Sequence, residues 1–445
     1  MPAISADPEA ARHFAIEVVQ RLREAGHEAL WAGGCVRDEL LGRTPADYDV
    51  ATSAKPDEVR GIFGHRRTLA VGAAFGVITV VGRRGSGHVE VTTFRTDAAY
   101  TDGRHPAGVT FATAEEDALR RDFSINGLFF DPITGEVHDF VGGRDDLAAG
   151  IVRAIGVPSQ RFAEDHLRLL RAVRFAAVFG FVLESHTRAA VERMAGLVTS
   201  VSPERIAAEL RLMVARPGRG RALELLAETG LAMAVLPEVG PAAGPQAAEA
   251  WPASVRVIDA LDEPALPQAI AALVEGACGP REGDPRARHP IVNAISRRLR
   301  LSNDEAATAS WLLAALAAIG EDDVAALRGR AWSSVQPWLA DRRRSLLVDL
   351  LRARAQARRG EAAAAAWATA ESLRPIDRLD PPPLLGGDEL LAEGVAKGRP
   401  IGEMLACIRR MQLDGLLANR EAALEWVRAR GDRTAAADGD ETAAG

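Results

Sequence analysis

Residues 29–38 have the sequence ALWAGGCVRD, and this stretch carries the clearest structural signal in the chain. Its apolar start predicts a strand, its two glycines predict a tight turn, and the residues from 35 to 41 predict a short helix. Because Gly33 and Gly34 lack a Cβ, backbone N–H groups at the turn could approach a phosphate closely, with the N-terminus of a helix behind them. Arg37, in the first turn of that helix, would add a fixed positive charge to the same anion.

Two aspartates, Asp47 and Asp49, follow nine and eleven residues after Asp38. On an extended strand, alternate residues share one face, so both carboxylates would point the same way. Carboxylates bind hard cations, and two such cations beside bound phosphates are what two-metal phosphoryl transfer requires. Either pair alone, glycines or aspartates, is most often a turn or a surface feature, whereas their ordered combination is specific.

The composition is that of an ordinary globular protein, and 445 residues are enough for two to four domains. No apolar run approaches the roughly 18 residues of a membrane span. The first residues do not form a basic segment followed by an apolar core, so we expect a cytoplasmic protein with no membrane partner. Three widely spaced cysteines predict neither a disulfide framework nor a zinc site. The net charge is −7, but residues 151–220 hold eleven arginines against six acidic residues, which allows nucleic-acid binding through a local patch.

Residues 76–94 contain two β-rich runs separated by a glycine-rich segment, and they predict a hairpin with Glu90 in its second strand. On the sequence alone, Glu90 is as readily an exposed strand glutamate as a functional one. The next segment, residues 97–111, has little periodicity and predicts a mobile loop that contains Asp102 and Arg104. Arg104 could contact phosphate or substrate, although an exposed loop arginine is the simpler interpretation.

Residues 120–127 have the sequence RRDFSING and form a second motif. Its arginines, Arg121 among them, could neutralise a triphosphate. Asp122 and Asn126 could hydrogen-bond ribose hydroxyls and so favour ribonucleotides. Considered in isolation, a solvated charge cluster before a strand explains the same residues.

Residues 164–175 have the sequence EDHLRLLRAVRF, whose leucines and alanines fall at helical spacing and predict one continuous helix. Asp165 and Arg168 would lie one turn apart on it, where an i,i+3 salt bridge on a solvated face is the ordinary outcome. A more specific outcome is base recognition, because a carboxylate accepts from an exocyclic amine while a guanidinium donates to a ring nitrogen or carbonyl. Cytosine and adenine both present an amine beside an acceptor along their pairing edge, and uracil and guanine do not. The pair could therefore select C and A without a nucleic-acid template.

These motifs, in this order, resemble those of the class II nucleotidyltransferases, the family of CCA-adding tRNA nucleotidyltransferases and bacterial poly(A) polymerases. The resemblance is specific over residues 29–240, moderate over residues 384–428 and weak between them. It implies that Glu90 is a third carboxylate near the metals. It also implies that residues 97–111 are the flexible loop that helps such an enzyme change from C addition to A addition.

The resemblance further implies that Asp165 and Arg168 read the base, and that Arg171 and Arg174 contact phosphate or nucleotide. The triphosphate would be bound by the glycines and arginines of the first two motifs, namely Gly33, Gly34, Arg37 and Arg121.

The expected fold is α+β, in which a small mixed nucleotidyltransferase palm sheet is followed by an all-α neck, body and tail. We expect the palm at residues 1–150 and the neck, with the nucleotide-reading helix, at 151–238. The helical body would occupy 239–380 and the helical tail 381–430. Residues 431–445 are acidic and alanine-rich, and their composition predicts disorder.

The implied reaction is template-independent transfer of CMP, CMP and AMP from CTP and ATP to the 3′ end of tRNA, with release of pyrophosphate. Asp47 and Asp49 would hold two Mg²⁺ ions, with Glu90 assisting. One ion would lower the pKa of the RNA 3′-hydroxyl, and the other would hold the triphosphate.

Three alternatives stay open at this point. A poly(A) polymerase shares every motif and differs mainly in primer handling, although the tail resemblance and the lack of a strongly basic C-terminal extension speak against it. An enzyme limited to A addition would work with a separate CC-adding partner. A catalytically silent RNA-binding protein would have no need of both Asp47 and Asp49. The motifs leave the oligomeric state open.

Overall fold

The computed structural model describes residues 7–83, 85–97, 109–278, 289–319, 331–357, 366–367, 369–371 and 373–440 of the chain. The chain forms two compact units, which we describe separately. The first unit comprises Met1–Ala248 with Arg297–Leu301, and the second comprises Glu249–Ser296 with Ser302–Gly445. The finer division into palm, neck, body and tail stays a prediction.

The strands in the described part of the chain all lie in the first unit. In chain order they are β1 Ala29–Ala32, β2 Asp49–Thr52, β3 Thr68–Leu69, β4 Val77–Val81, β5 His88–Thr93, β6 Arg95–Asp97, β7 Val109–Phe111, β8 Leu128–Phe130, β9 Val137–Asp139, β10 Ile151–Val152 and β11 Val182–Leu183. Seven of them form a mixed sheet in the order β3-β4-β5-β2-β1-β8-β9. Only β2 and β5 are parallel neighbours within this sheet, and the other neighbouring pairs are antiparallel.

Helices follow and flank the sheet in sequence. Those of the first unit are α1 Pro8–Glu24, α2 Gly34–Leu40, α3 Pro56–Phe63, α4 Ala114–Leu119, α5 Gly143–Ala149, α6 Pro158–Glu164, α7 Leu167–Phe179, α8 Ser185–Met194, α9 Pro203–Ala215, α10 Arg219–Glu228 and α11 Leu231–Val235. The later helices are Pro245–Ala260, Leu266–Cys278, Pro290–Leu299, Asn303–Ile319, Trp332–Leu339, Arg344–Ala357, Ile376–Leu379, Gly387–Ala392, Arg399–Leu413 and Arg420–Asp440. A small mixed sheet followed by helices confirms the predicted α+β fold. Across the described ranges, every helix is too short or too polar to cross a membrane.

The sheet is held by an apolar cluster on the face that carries α4. Leu30 of β1 and Phe129 of β8 are buried there together with Ala114 and Ala118, which lie four residues apart and so share one side of α4. The packing matters for function because α4 ends directly before the RRDFSING motif and fixes where that motif leaves the helix.

The predicted hairpin of residues 76–94 is confirmed, because β4 and β5 pair antiparallel and Glu90 lies in β5. The two ends of the predicted loop 97–111 are paired instead, since β6 and β7 form an antiparallel ribbon. Asp102 and Arg104 lie outside the described residues.

The C-terminal part of the second unit contains three helices that share one apolar cluster, including Leu390, Ile408 and Val427. The last of them, Arg420–Asp440, extends ten residues into the segment 431–445, for which composition predicts disorder. Three consecutive alanines lie in that extension, and alanine has the highest helix propensity of all residues. A low apolar content therefore does not prevent this segment from continuing the helix.

Candidate active site

The glycine turn of the first motif lies between β1 and α2. Gly33 has a φ of 73°, a left-handed conformation that favours glycine, and its N–H donates to the carbonyl of Leu128. A Cβ at Gly33 would lie 2.8 Å from Nη1 of Arg121. The turn therefore needs glycine for two reasons, its backbone conformation and the close approach of an arginine from the second motif.

Arg37 is buried in α2 and is held by partners on several sides. Its Nη1 donates to Oδ1 of Asn126 at 2.6 Å, and its Nε and Nη2 donate to Oδ1 of Asp38 at 3.0 and 2.9 Å. The guanidinium also lies 4.4 Å from the ring centroid of Phe179. Arg37 thus joins the first motif to the second, and its predicted role at a bound phosphate stays a prediction.

The acidic residues lie at the start of β2 and on β5. Asp49 is the first residue of β2 and is the register partner of Glu90 on the parallel strand β5. Burial, and then the negative charges of Asp47 and Glu90, raise the pKa of the Asp49 carboxyl to about 7. Three carboxylates close enough to repel one another are a site where a bound cation would be stabilised.

One detail of the aspartate pair differs from the prediction. Asp47 does not lie on the strand, because it precedes β2 in a bend. The pairing of β1 with β2 ends at Trp31 and Val50, so the ladder between these two strands stops before it reaches Asp47. Both aspartates nevertheless line the same cavity.

Arg121 of the second motif is positioned by a carboxylate that the sequence analysis did not single out. Asp117 of α4 is only 1% exposed, and it accepts from Arg121 Nε and Nη2 at 3.1 and 2.9 Å and from Arg120 Nε at 2.8 Å. Burial alone would raise the pKa of Asp117, but the positive charges of Arg121 and Arg120 lower it. Its spacing of three and four residues from the arginines was the available signal, because such a spacing brings side chains together on a helix.

Asp122 anchors an arginine of α7. Its Oδ1 accepts from the backbone N–H of Phe123 at 2.8 Å and from Asn126 Nδ2 at 3.0 Å, while its Oδ2 accepts from Arg171 Nε at 2.8 Å. Nη2 of Arg171 lies 2.7 Å from the same Oδ2. Burial would raise the pKa of Asp122, yet the charge of Arg171 and these hydrogen bonds lower it to about 2. Protein donors therefore contact both oxygens of Asp122, and its predicted contact with ribose stays a prediction.

The segment predicted as one helix is two. Helix α6 ends at Glu164, Asp165 is extended with a φ of −151°, and α7 begins at Leu167. Oδ1 of Asp165 accepts from the backbone N–H of Leu167 at 3.0 Å, a local contact of the kind by which aspartate starts a helix rather than continuing one. The prediction of a continuous helix over 164–175 was therefore wrong at its second residue.

The expected i,i+3 pair between Asp165 and Arg168 is also replaced by other partners. Arg205 of α9 donates from Nη1 and Nη2 to the two oxygens of Asp165 at 3.2 and 2.6 Å. Arg168 donates instead to Glu164 and, at 2.8 Å, to the carbonyl of Arg161. Each predicted base-reading side chain is thus held by a separate partner.

The two remaining arginines of α7 share a buried acid. Glu209 of α9 is 5% exposed, accepts from Arg174 Nε at 2.6 Å, and lies 3.8 Å from Nη1 of Arg171. The sequence analysis missed Arg205 and Glu209, which lie more than thirty residues beyond their partners. A buried glutamate in an amphipathic helix could have been suspected from the sequence, but its partners could not.

These groups surround one cavity of about 650 Å³, a size in the range of small-molecule sites. It brings together all of the predicted site residues that the structure describes, and it includes Arg120, the other arginine of the second motif. It also adds Arg95 and Phe175, which were not predicted. The predicted residues at the cavity are Gly33, Gly34, Arg37, Asp47, Asp49, Glu90, Arg121, Asp122, Asn126, Asp165, Arg168, Arg171 and Arg174.

Comparison with known proteins places this architecture in a family. Residues 29–153 match the family model described as the poly A polymerase head domain, and residues 180–242 match the one described as a probable RNA and SrmB-binding site of polymerase A. A protein of Geobacillus thermodenitrificans named CCA-adding enzyme is 38% identical over 342 residues, which cover 76% of this chain and 77% of that protein. A protein of Geobacillus stearothermophilus with the same name is 38% identical over 346 residues, which cover 76% of this chain and 77% of its own length.

Solved structures agree with these relatives. The crystal structure of the Bacillus stearothermophilus CCA-adding enzyme in complex with CTP matches with a TM-score of 0.74 and 29% identity, covering 96% of this chain and 99% of that chain. The Thermotoga maritima CCA-adding enzyme complexed with tRNA has the same fold, with a TM-score of 0.61, 19% identity, and coverage of 96% and 97%. The chain therefore belongs to the CCA-adding enzyme family, and it is a nucleotidyltransferase.

Proposed function

We infer that this protein adds CMP, CMP and AMP in turn to the 3′ end of tRNA, using CTP and ATP and no nucleic-acid template. The observation that supports this function best is one cavity lined both by Asp47 and Asp49 and by the predicted base-reading residues Asp165 and Arg168. The names of the relatives agree with it. The cytoplasm is the expected compartment.

The acidic residues fit divalent cations of the Mg²⁺ type. The described residues contain no group of three His, Cys, Asp or Glu side chains arranged as a protein-only metal cage. Mg²⁺ does not need such a cage in this chemistry, because it is usually bound by one or two carboxylates together with substrate phosphates. Burial and the negative charges of Asp47 and Glu90 raise the pKa of Asp49, and a cation beside these carboxylates would stabilise its charged form.

Asp47 and Asp49 would hold two Mg²⁺ ions, with Glu90 beside them. When bound, these ions would supply charge neutralisation at the triphosphate and a lowered pKa of the attacking hydroxyl. The 3′-oxygen of the RNA forms a bond to the α-phosphorus, the bond between the α-phosphorus and its bridging oxygen to the β-phosphate breaks, and pyrophosphate leaves. The hydroxyl proton passes to solvent.

The arginines bind the triphosphate and are held before it arrives. Arg121 is fixed by Asp117, and Arg171 and Arg174 are fixed by Asp122 and Glu209. Donors that are already oriented cost little reorganisation when charge develops on the leaving pyrophosphate. Each guanidinium keeps donors that its protein partners do not use, because arginine has five N–H groups.

Asp165 and Arg168 would read the pairing edge of the incoming base. An amine beside an acceptor fits this carboxylate and guanidinium, so CTP and ATP are accepted, whereas UTP presents a carbonyl to the carboxylate. Asp165→Ala should therefore relax discrimination against UTP more than it slows CTP transfer. If the variant refuses UTP as strictly as the parent, the base is read elsewhere.

The experiment that tests the function uses purified protein, Mg²⁺ and a tRNA transcript that ends before CCA. With labelled CTP and ATP, we expect addition of three nucleotides and then a stop. A long A tail on this or other RNA would identify a poly(A) polymerase, and addition of A only to tRNA ending in CC would identify an A-adding enzyme. If the parent transfers no nucleotide and so behaves like the Asp49→Asn variant, the protein is a catalytically silent RNA-binding protein.

A further inference from the structure

Helix α9 lies outside the motifs from which the function was predicted, yet it contacts both functional ends of α7. Arg205 holds Asp165, and one turn later Glu209 holds Arg174 and lies near Arg171. Arg205 and Glu209 do not line the cavity themselves. Any effect they have on substrate must therefore pass through the residues that they hold.

The hydrogen bonds of Asp165 show what Arg205 controls. Oδ1 accepts from Leu167 N–H at 3.0 Å and from Arg205 Nη1 at 3.2 Å, while Oδ2 accepts from Arg205 Nη2 at 2.6 Å. A carboxylate has roughly two acceptor positions on each oxygen, so Oδ1 is filled and one position on Oδ2 remains. Asp165 lines the cavity, so an exocyclic amine bound there could use that remaining position.

We propose that Arg205 is a specificity-determining positioning residue, which fixes the Asp165 carboxylate so that one acceptor position meets the base. This rests on the proposed function, in which Asp165 reads the base. With the two-pronged contact in place, the carboxylate cannot rotate away from a base that offers a carbonyl, and uracil meets an acceptor facing an acceptor. Without that contact the carboxylate can rotate. Cytosine then loses an oriented hydrogen-bond acceptor, and the repulsion between the uracil carbonyl and the carboxylate becomes weaker.

Glu209 supplies the matched comparison, because it lies on the same helix and holds arginines that face the triphosphate rather than the base. Every nucleoside triphosphate carries the same phosphates. Loss of the Glu209 charge should therefore weaken CTP and UTP alike, whereas loss of Arg205 should change their ratio. A helix that was merely structural would not separate the two effects.

The test measures kcat/KM and KM for CTP and for UTP on a tRNA ending before CCA, with the full-length protein and its Arg205→Gln, Arg205→Lys and Glu209→Gln variants. We expect Arg205→Gln to lower the CTP/UTP ratio of kcat/KM by about tenfold or more, on the order of one lost base-edge contact. Arg205→Lys, which can keep one of the two contacts, should fall between Arg205→Gln and the parent. Glu209→Gln should raise KM for both nucleotides by a similar factor and leave the ratio within about twofold of the parent.

Arg188→Gln is the control for loss of a paired arginine. Arg188 bridges Glu192 and Glu228 on the surface and is not part of the cavity, so its variant should keep the parent ratio. Thermal melting identifies the variants that remain folded. If Arg205→Gln does not fold, Arg205→Lys is used for the test instead. The proposal would be overturned if a folded Arg205 variant had the same CTP/UTP ratio of kcat/KM as the parent. It would also be overturned if Glu209→Gln changed that ratio as much as the Arg205 variants do. Failure of the parent protein to incorporate CTP would instead refute the proposed function.

Discussion

Replacing Asp117 with asparagine should destabilise the first unit and weaken nucleotide binding, although Asp117 itself does not line the cavity. Asp117 is 1% exposed and accepts from both Arg120 and Arg121. Removing one partner of a buried ion pair typically costs about 3–5 kcal/mol. Here the arginine side chains each keep 19% exposure, and Arg121 also donates to the carbonyl of Asn126, so part of the loss is recovered. We therefore expect about 2–3 kcal/mol.

For a unit of this size, such a loss corresponds to a fall in Tm of roughly 4–12 °C. Differential scanning calorimetry or fluorescence melting would measure it. Asp145→Asn is the matched control, because Asp145 is exposed and the substitution makes the same change of charge. Its Tm should lie within about 2 °C of the parent. In steady-state transfer, Asp117→Asn should also raise the KM for CTP, because Arg121 is no longer held at the triphosphate.

The pH dependence of the effect provides a second test. The positive charges of Arg121 and Arg120 overcome burial and lower the pKa of Asp117, so its stabilising contribution is present above the unfolded pKa of about 3.9. The contribution is lost as the pH falls through the lower, folded pKa. The difference in Tm between parent and Asp117→Asn should hold from pH 8 to about pH 5 and narrow below about pH 4. A parent-like Tm together with a parent-like KM at pH 7 would refute the reasoning.

Three further predictions concern the same unit. Asp49→Asn should abolish transfer. Without bound metal, in EDTA at pH 8, the same variant should raise Tm. Burial and the two neighbouring carboxylates raise the pKa of Asp49 to about 7, so the ionised parent loses stability as the pH rises from about 3.9 through 7. A lower Tm for this variant would contradict that sign. Gly33→Ala should cost about 1–2 kcal/mol in urea unfolding and raise the KM for CTP, since the new Cβ would meet Arg121 at a positive φ; unchanged values for both would show that the turn tolerates a side chain. Replacing residues 102–104 with alanine should leave CC addition intact and suppress the terminal A, because reading a purine after two pyrimidines requires the site to enlarge. Product lengths on a sequencing gel would measure this effect. Loss of C and A addition together would contradict the prediction.

The local features of the site follow from the sequence because they depend on neighbouring residues. A glycine pair after an apolar run, an arginine one turn into the next helix and two closely spaced aspartates all act through local geometry, and the structure brings them to one cavity. Asp117 was within reach of the same reasoning, since its arginines lie three and four residues away.

The partners of α7 could not be predicted in this way. Asp165 pairs with Arg205, forty residues along the chain, and Arg174 pairs with Glu209, thirty-five residues along. Helical periodicity gives the face of a helix but not the distant residue that packs on it. The break at Asp165 has a local signal instead, because the side chain of Asp165 accepts from the backbone N–H of Leu167 two residues later.

The parallel register of β2 and β5 determines which insertions and deletions the chain can absorb. Along β5, Val89 and Val91 are buried, and Glu90 between them points to the opposite face, beside Asp49. Extra residues in the turn between β4 and β5 would leave this alternation intact. A single residue deleted inside β5 would shift the pleat by one and turn the glutamate toward the interior, where an unpaired carboxylate is strongly unfavourable. Natural length variation among related chains should therefore collect in the turn and be absent from the six residues of the strand.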